Sequence, residues 1–238
     1  MLLRCANRLQ VKKMKVIGIT GGAGSGKSAL LAYMKDRYSC RILMADEAGH
    51  EVSRRGASAY PALTALLSSC GTGRPLLTRD GEIDRQEMAA RIYADPALRE
   101  QVNAIIHPAV KEYILKEIGR ERDLAVSGSA EAARYFVLEA ALLIECGYGA
   151  VVDEMWYIYC DPGIRAERLR RTRGYSGERV RGIMAAQLSD DAFRAGSDVV
   201  IDNSGDIRDA RRRIDEEFAR LEQEREGQML RPARQHGV

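Results

Sequence analysis

The chain has 238 residues, of which 45% are hydrophobic and 30% charged, and its formal net charge is +3. That length suits one sizeable α/β domain or a core with insertions, and so small a charge excess gives no argument for a nucleic-acid partner. The five cysteines (Cys5, Cys40, Cys70, Cys146 and Cys160) form no C-x-x-C pair and there are only three histidines. This points away from a zinc site or a disulfide framework and fits a reducing cytoplasm. No apolar run approaches the roughly 20 residues that cross a bilayer, and no feature calls for an obligate protein partner.

Residues 1–13 carry Arg4, Arg8, Lys12 and Lys13 without an acid, and read as an N-terminal extension before a folded chain that begins near Met14. Lys15 to Thr20 is a short apolar, β-branched run that reads as a buried strand. After a glycine-rich stretch, Lys27 to Tyr38 reads as a helix with Leu30, Leu31 and Met34 on one side. Cys40 to Ala45 is a second short apolar run ending at Asp46. Strand, helix and strand of these lengths form a βαβ unit, which predicts two parallel, buried strands.

From Glu47 to about Arg122 the pattern is helical, with Pro61 to Ser69, Arg85 to Ala94 and Pro96 to Ile106 as the main segments and no convincing strand. We expect a helical insertion over residues 51–133, dividing a core of residues 14–50 and 134–222. Strand signals return at Tyr135 to Ile144, Met155 to Cys160 and Asp198 to Ile201. Helices are expected at Pro162 to Arg173, Glu178 to Leu188 and Ile207 to about Gln223, with a polar C-terminal tail over residues 223–238 expected to be disordered. Alternating strands and helices predict a doubly wound parallel sheet, whose ligands bind at the carboxyl ends of the strands; with the glycine-rich stretch Gly21 to Ser28 after the first strand, a sheet of the P-loop NTPase type is expected.

Gly21-Gly22-Ala23-Gly24-Ser25-Gly26-Lys27-Ser28 fits G-x-x-x-x-G-K-[ST]. The glycines let backbone N–H groups wrap a phosphate, and the helix that opens there adds the positive end of its dipole. Lys27 would reach the β- and γ-phosphates of a nucleoside triphosphate, and the Ser28 hydroxyl would ligate Mg²⁺. The competing reading, an ordinary tight turn, does not account for the full pattern between a strand and a helix.

Asp46 lies at the end of the second strand, expected to be the neighbour of the first, so it should face the phosphate site, and it has two readings. A carboxylate there would accept a proton from an attacking hydroxyl or orient it; alternatively it caps a helix starting at Glu47. Arg165, Arg168, Arg170, Arg171 and Arg173 crowd one helix. They read either as a lid, about residues 165–188, that brings positive charge to the phosphates, or as a solvated basic face. Spacing puts Arg165, Arg168 and Arg171 on one side, and Arg168 and Arg171 are the favoured pair. His107-Pro108 ends a helical pattern, where proline is expected to break or restart the helix.

These motifs together resemble the dephospho-CoA kinase family from about Met14 to Phe218. The resemblance rests on the opening IGITGGAGSGKSAL, Ala45-Asp46, Asp80-Gly81-Glu82-Ile83-Asp84-Arg85, Ile106-His107-Pro108, Leu142-Leu143-Ile144-Glu145, then Arg168, Arg171, Gln187 and Asp202-Asn203-x-Gly205, in that order. It implies transfer of the γ-phosphate of ATP to the ribose 3′-hydroxyl of dephospho-CoA, the last step of coenzyme A biosynthesis, with Mg²⁺ as cofactor. It makes the insertion the acceptor-binding part. Asp46 would activate or orient the hydroxyl, while Lys27, Arg168 and Arg171 would stabilise the moving phosphoryl group. Gly22, Ala23, Gly24, Ser25, Gly26, Lys27, Ser28 and Ala29 would hold ATP, with Asn203 and Gly205 near its adenine. Arg85, His107 and Glu145 would shape the acceptor site with Asp46.

The chain departs from the family pattern at Met44, where an acid is usual, at Ala141, where proline is usual, at Ala29 for threonine, and in a longer stretch from about Arg120 to Ala133. Two other readings are carried forward: a nucleoside monophosphate kinase-like enzyme, and a homologue that binds nucleotide without turnover, for which Met44 is the motive. A GTPase switch lacks support, because N-K-x-D is absent and Asp202-x-x-Gly205 comes too late in the chain.

Overall fold

The computed structural model describes residues 14–70 and 73–229. The N-terminal extension of residues 1–13 and the end of the expected tail, residues 230–238, lie outside the described residues. Five strands form one sheet: β1 (Lys15–Thr20), β2 (Cys40–Met44), β3 (Tyr135–Glu139), β4 (Glu154–Tyr159) and β5 (Val199–Asp202), in the order β2-β3-β1-β4-β5. The helices are α1 (Lys27–Arg37), α2 (Ala45–Ser53), α3 (Tyr60–Ser68), α4 (Arg85–Ala94), α5 (Pro96–Val126), α6 (Pro162–Arg173), α7 (Gly177–Ala185), α8 (Asp190–Ala195) and α9 (Ile207–Met229). Pairing of β1 with β4 and of β4 with β5 is parallel. Among the described residues no helix is long and apolar enough to cross a membrane.

The chain divides into two compact units. The first comprises Met1–Ile42, Arg122–Val137 and Ala141–Val238; the second comprises Leu43–Glu121 with Leu138–Ala140.

In the first unit, strand alternation sends Ile17 and Ile19 of β1, and Trp156 and Ile158 of β4, into one core with Leu30 and Met34 of α1 and Ile214 and Phe218 of α9. The Phe218 ring stacks on Tyr38 at 3.9 Å and meets Tyr135 and Trp156 edge-on at 4.7 and 5.4 Å. The opposite face of β4 is also covered: Tyr157 stacks on Phe193 of α8 at 4.8 Å. Both faces of β4 are therefore buried, as its near-continuous apolar run requires. Phe218→Ala is expected to cost about 3–5 kcal/mol through the cavity it leaves; a urea midpoint shift with an unchanged slope would measure it.

The second unit is mainly helical; besides the ends of β2 and β3 that fall in it, the described residues carry an isolated antiparallel bridge between Leu77 and Ile83. Asp84 caps α4 by accepting from the N–H groups of Gln86 and Glu87. The buried Glu87–Arg91 pair at 2.8 Å ties that helix down, because Arg91 also donates to the carbonyls of Leu67 and Arg74.

The structure corrects several local expectations. β3 stands between β1 and β2, so the strand after α1 is not the neighbour of β1, and as an edge strand β2 buries only Leu43. The apolar run from Tyr135 to Ile144 is a strand only to Glu139; beyond Ala140 the chain turns, and Leu143 packs on Gly18. α5 does not stop at Pro108 but runs to Val126. Proline's fixed φ suits a helix, and the lost N–H is outweighed by Leu98 and Val102 before it and Val110, Ile114 and Ile118 after it, all buried. α9 continues to Met229, past the expected start of the tail. α2 begins at Ala45 with Met44 at its cap position and no side-chain cap, so Asp46 is a first-turn residue and not the capping residue.

Candidate active site

The loop Gly21–Gly26 joins the buried strand β1 to α1, both in the first unit. Gly26 caps α1 with φ 91°, a left-handed conformation that side chains resist, and a methyl there would press on the Asn203 amide. At Gly21, φ 148°, a Cβ would lie 2.6 Å from the Ile158 carbonyl oxygen. No side chain caps α1, so its leading N–H groups are left for a ligand. Gly26→Ala is expected to weaken ATP binding at least about 10-fold and to cost about 1–2 kcal/mol in stability, measured by calorimetric titration and thermal melting.

Side chains from the carboxyl ends of neighbouring strands brace this loop. Asn203, just past β5 and only 2% exposed, donates from Nδ2 to the Ser25 carbonyl at 2.7 Å. Its backbone N–H bonds to Tyr159 on β4. Arg168 on α6 donates from Nη2 to the Asn203 carbonyl at 3.0 Å and from Nη1 to Cys160 Sγ at 3.3 Å. Burial pushes the Cys160 thiol up, against the opposing pull of Arg168 and Arg165, so it stays protonated at neutral pH. Asp161 caps α6 through the N–H groups of Gly163 and Ile164, which fixes where the arginines of that helix fall.

Lys27 Nζ donates to the Gly21 carbonyl at 2.6 Å and to the Gly22 carbonyl at 3.4 Å, so the ammonium lies along the loop's own rim. The Ser28 side chain is exposed in the first turn of α1 and makes no hydrogen bond among the described residues. A hydroxyl free to bond at the phosphate end of a helix suits a Mg²⁺ ligand. Ala29 is exposed in the same turn. Buried Ser25 keeps its hydroxyl inside the loop, with no hydrogen-bond partner among the described residues.

The remaining expected residues are distributed as follows. Arg171 is exposed on α6 and makes no hydrogen bond among the described residues, unlike Arg168. Gly205 is exposed in the turn after β5, and Glu145 is exposed in the turn after β3. In the second unit, Asp46 is exposed in the first turn of α2, Arg85 is the exposed first residue of α4, and His107 is exposed within α5. Sequence reasoning passed over Arg165 and gave Gln187 no role, yet both touch the loop. The i, i+3 spacing that grouped Arg165 with Arg168 contained the signal for the first.

The model of the dephospho-CoA kinase family matches residues 15–209. The chain belongs to the dephospho-CoA kinase family. A dephospho-CoA kinase of Geobacter sulfurreducens is 35% identical over 207 residues, covering 87% of this chain and 98% of that one. Its counterpart in Geobacillus kaustophilus is 35% identical over 200 residues, covering 83% and 92%. Among solved structures, TT1252 from Thermus thermophilus is 25% identical with a TM-score of 0.69, covering 88% of this chain and 99% of that one. The Campylobacter jejuni dephospho-CoA kinase, 18% identical with a TM-score of 0.64 and covering 87% and 96%, shares the fold. The matched range spans the loop, its braces Arg168 and Asn203, and the expected residues Asp46, Arg85, His107 and Glu145. As a member of a kinase family, the chain uses ATP as its phosphate donor.

Proposed function

We propose that this chain phosphorylates the ribose 3′-hydroxyl of dephospho-CoA with ATP and Mg²⁺, in the cytoplasm. The observation that carries the reading is the family match over residues 15–209 on a chain whose Gly21–Ser28 loop is shaped to hold phosphate.

The loop N–H groups and the start of α1 bind the β-phosphate region, where glycines let the backbone approach. Lys27 leaves the carbonyls of Gly21 and Gly22 for the phosphate oxygens, exchanging neutral acceptors for charged ones. Ser28 would hold Mg²⁺, which would supply positive charge to the phosphates. Arg168, anchored at Cys160 and Asn203, brings a fixed positive charge, and Arg171 adds a second from the same helix. Asn203 and Gly205 border the adenine. The family pattern gives Asp46 the acceptor hydroxyl: it takes the proton or orients the hydroxyl as the new O–P bond forms and the bond from the γ-phosphorus to its bridging oxygen breaks, releasing ADP. Arg85, His107 and Glu145 recognise the acceptor in the same pattern, and residues 51–133 serve as its binding region.

The test offers purified protein, ATP and Mg²⁺ with dephospho-CoA, AMP, CMP and shikimate in parallel and follows ADP release. Turnover with dephospho-CoA alone is expected. Turnover with AMP or CMP and none with dephospho-CoA would replace this reading with a nucleoside monophosphate kinase, and ATP binding without any turnover would leave a nucleotide-binding homologue.

A further inference from the structure

Arg165 is a buried cation with no carboxylate. It is 4% exposed, and among the described residues it makes no ion pair. It also sits near the start of α6, the positive end of the helix, where a cation is disfavoured. An uncompensated buried charge is costly unless something negative is meant to join it.

Its surroundings indicate what that is. Arg165 Nε donates to the Ala23 carbonyl at 3.0 Å, and Nη2 donates to Gln187 Oε1 at 2.5 Å. The same Gln187 oxygen accepts from the Ala23 N–H at 3.2 Å, so Arg165 and Gln187 together hold both backbone polar groups of Ala23. The guanidinium lies against Gly22 so closely that a side chain there would collide with Cζ and both terminal nitrogens. Of five guanidinium N–H groups, two are spent in these bonds and three remain. Lys27 Nζ, the group that reaches the β- and γ-phosphates, bonds to the carbonyls of Gly21 and of Gly22 itself. The guanidinium over Gly22 is therefore at the terminal-phosphate end of the loop.

We propose that Arg165 is a phosphate-binding residue: its unspent N–H donors take an oxygen of the terminal phosphate of ATP, and Gln187 is the positioning residue that holds the guanidinium over Gly22. The inference rests on the reading of the loop as the ATP site.

The contact is specific to a third phosphate, so the experiment compares ATP with ADP. Both are titrated calorimetrically, with Mg²⁺, into the wild-type protein, Arg165→Met and Arg165→Lys. Methionine keeps much of the side-chain volume without charge; lysine keeps the charge without the fork. Arg165→Met is expected to lose at least about 10-fold in ATP affinity, the worth of a hydrogen bond to a charged group, with ADP affinity within about twofold of wild type. The ratio of ATP to ADP affinity should fall in the order wild type, Lys, Met, and a folded Lys variant alone should already show a reduced ratio. A ratio unchanged in every variant that folds overturns the proposal, whether because neither affinity moves or because both fall together, as a mere loop brace would give. Wild-type protein that binds neither nucleotide overturns both this inference and the reading of the loop.

Discussion

Lys27→Ala is expected to lower turnover of dephospho-CoA by about 10³-fold or more while leaving the protein folded. The magnitude follows from removing a preorganised charge aimed at the transferring phosphoryl group, an effect that reaches 10²–10³ for one neutral donor and more for a cation. The fold is expected to survive because the Nζ bonds to the Gly21 and Gly22 carbonyls lie in the loop, outside the apolar core formed by Ile17, Ile19, Leu30 and Met34. Lys27→Arg should not restore the rate, since a planar fork on a longer stem does not replace a compact ammonium in a loop this close to its own backbone. Steady-state rates with matched melting curves measure the effect. A Lys27→Ala enzyme within about tenfold of wild type would remove Lys27 from the mechanism.

Asp46→Asn carries the second large effect. The substitution keeps shape and removes charge. In α2 the aspartate is an exposed first-turn residue, and the cap position belongs to Met44. Its helical contribution is thus limited to favourable placement near a positive helix end, about 0.3–1 kcal/mol. A proton acceptor for the attacking hydroxyl contributes about 10²–10⁴-fold in rate. The two roles therefore separate cleanly: kcat should fall by that factor while the unfolding free energy moves by less than about 1 kcal/mol. An active Asp46→Asn protein would leave only the role in the helix.

The parts of the fold set by local chemistry were legible in the sequence. β1, α4 and α6 fall where the apolar run of Lys15 to Thr20 and the helical patterns of Arg85 to Ala94 and Pro162 to Arg173 place them. α8 went unread although Ser189 and the acids after it mark its start, because six residues carry too little periodicity. Strand order was not legible, since pairing of β3 between β1 and β2 is a long-range choice that neither strand encodes. The apolar run past Glu139 looks the same whether it continues a strand or turns back to pack on Gly18. Pro108 misled because its penalty was weighed without the buried residues on either side.

The site shows the same division. The glycine pattern announces phosphate binding because the backbone itself is the binding group. Side-chain partners are less visible: Arg165 and Arg168 share a helix face, but only the folded chain shows both spent on the loop and its braces while Arg171 is exposed. Gln187 lies 164 positions from the Ala23 N–H that it accepts, a separation no local pattern bridges.

The central claim is transfer of phosphate from ATP to the ribose 3′-hydroxyl of dephospho-CoA. Phosphorus NMR of the complete reaction tests it most directly, because it reports both the bond formed and the bond broken. The account predicts one new phosphomonoester signal, coupled to the ribose 3′ proton, growing in step with ADP. ADP accompanied only by inorganic phosphate, or a phosphomonoester at any other position, would contradict it.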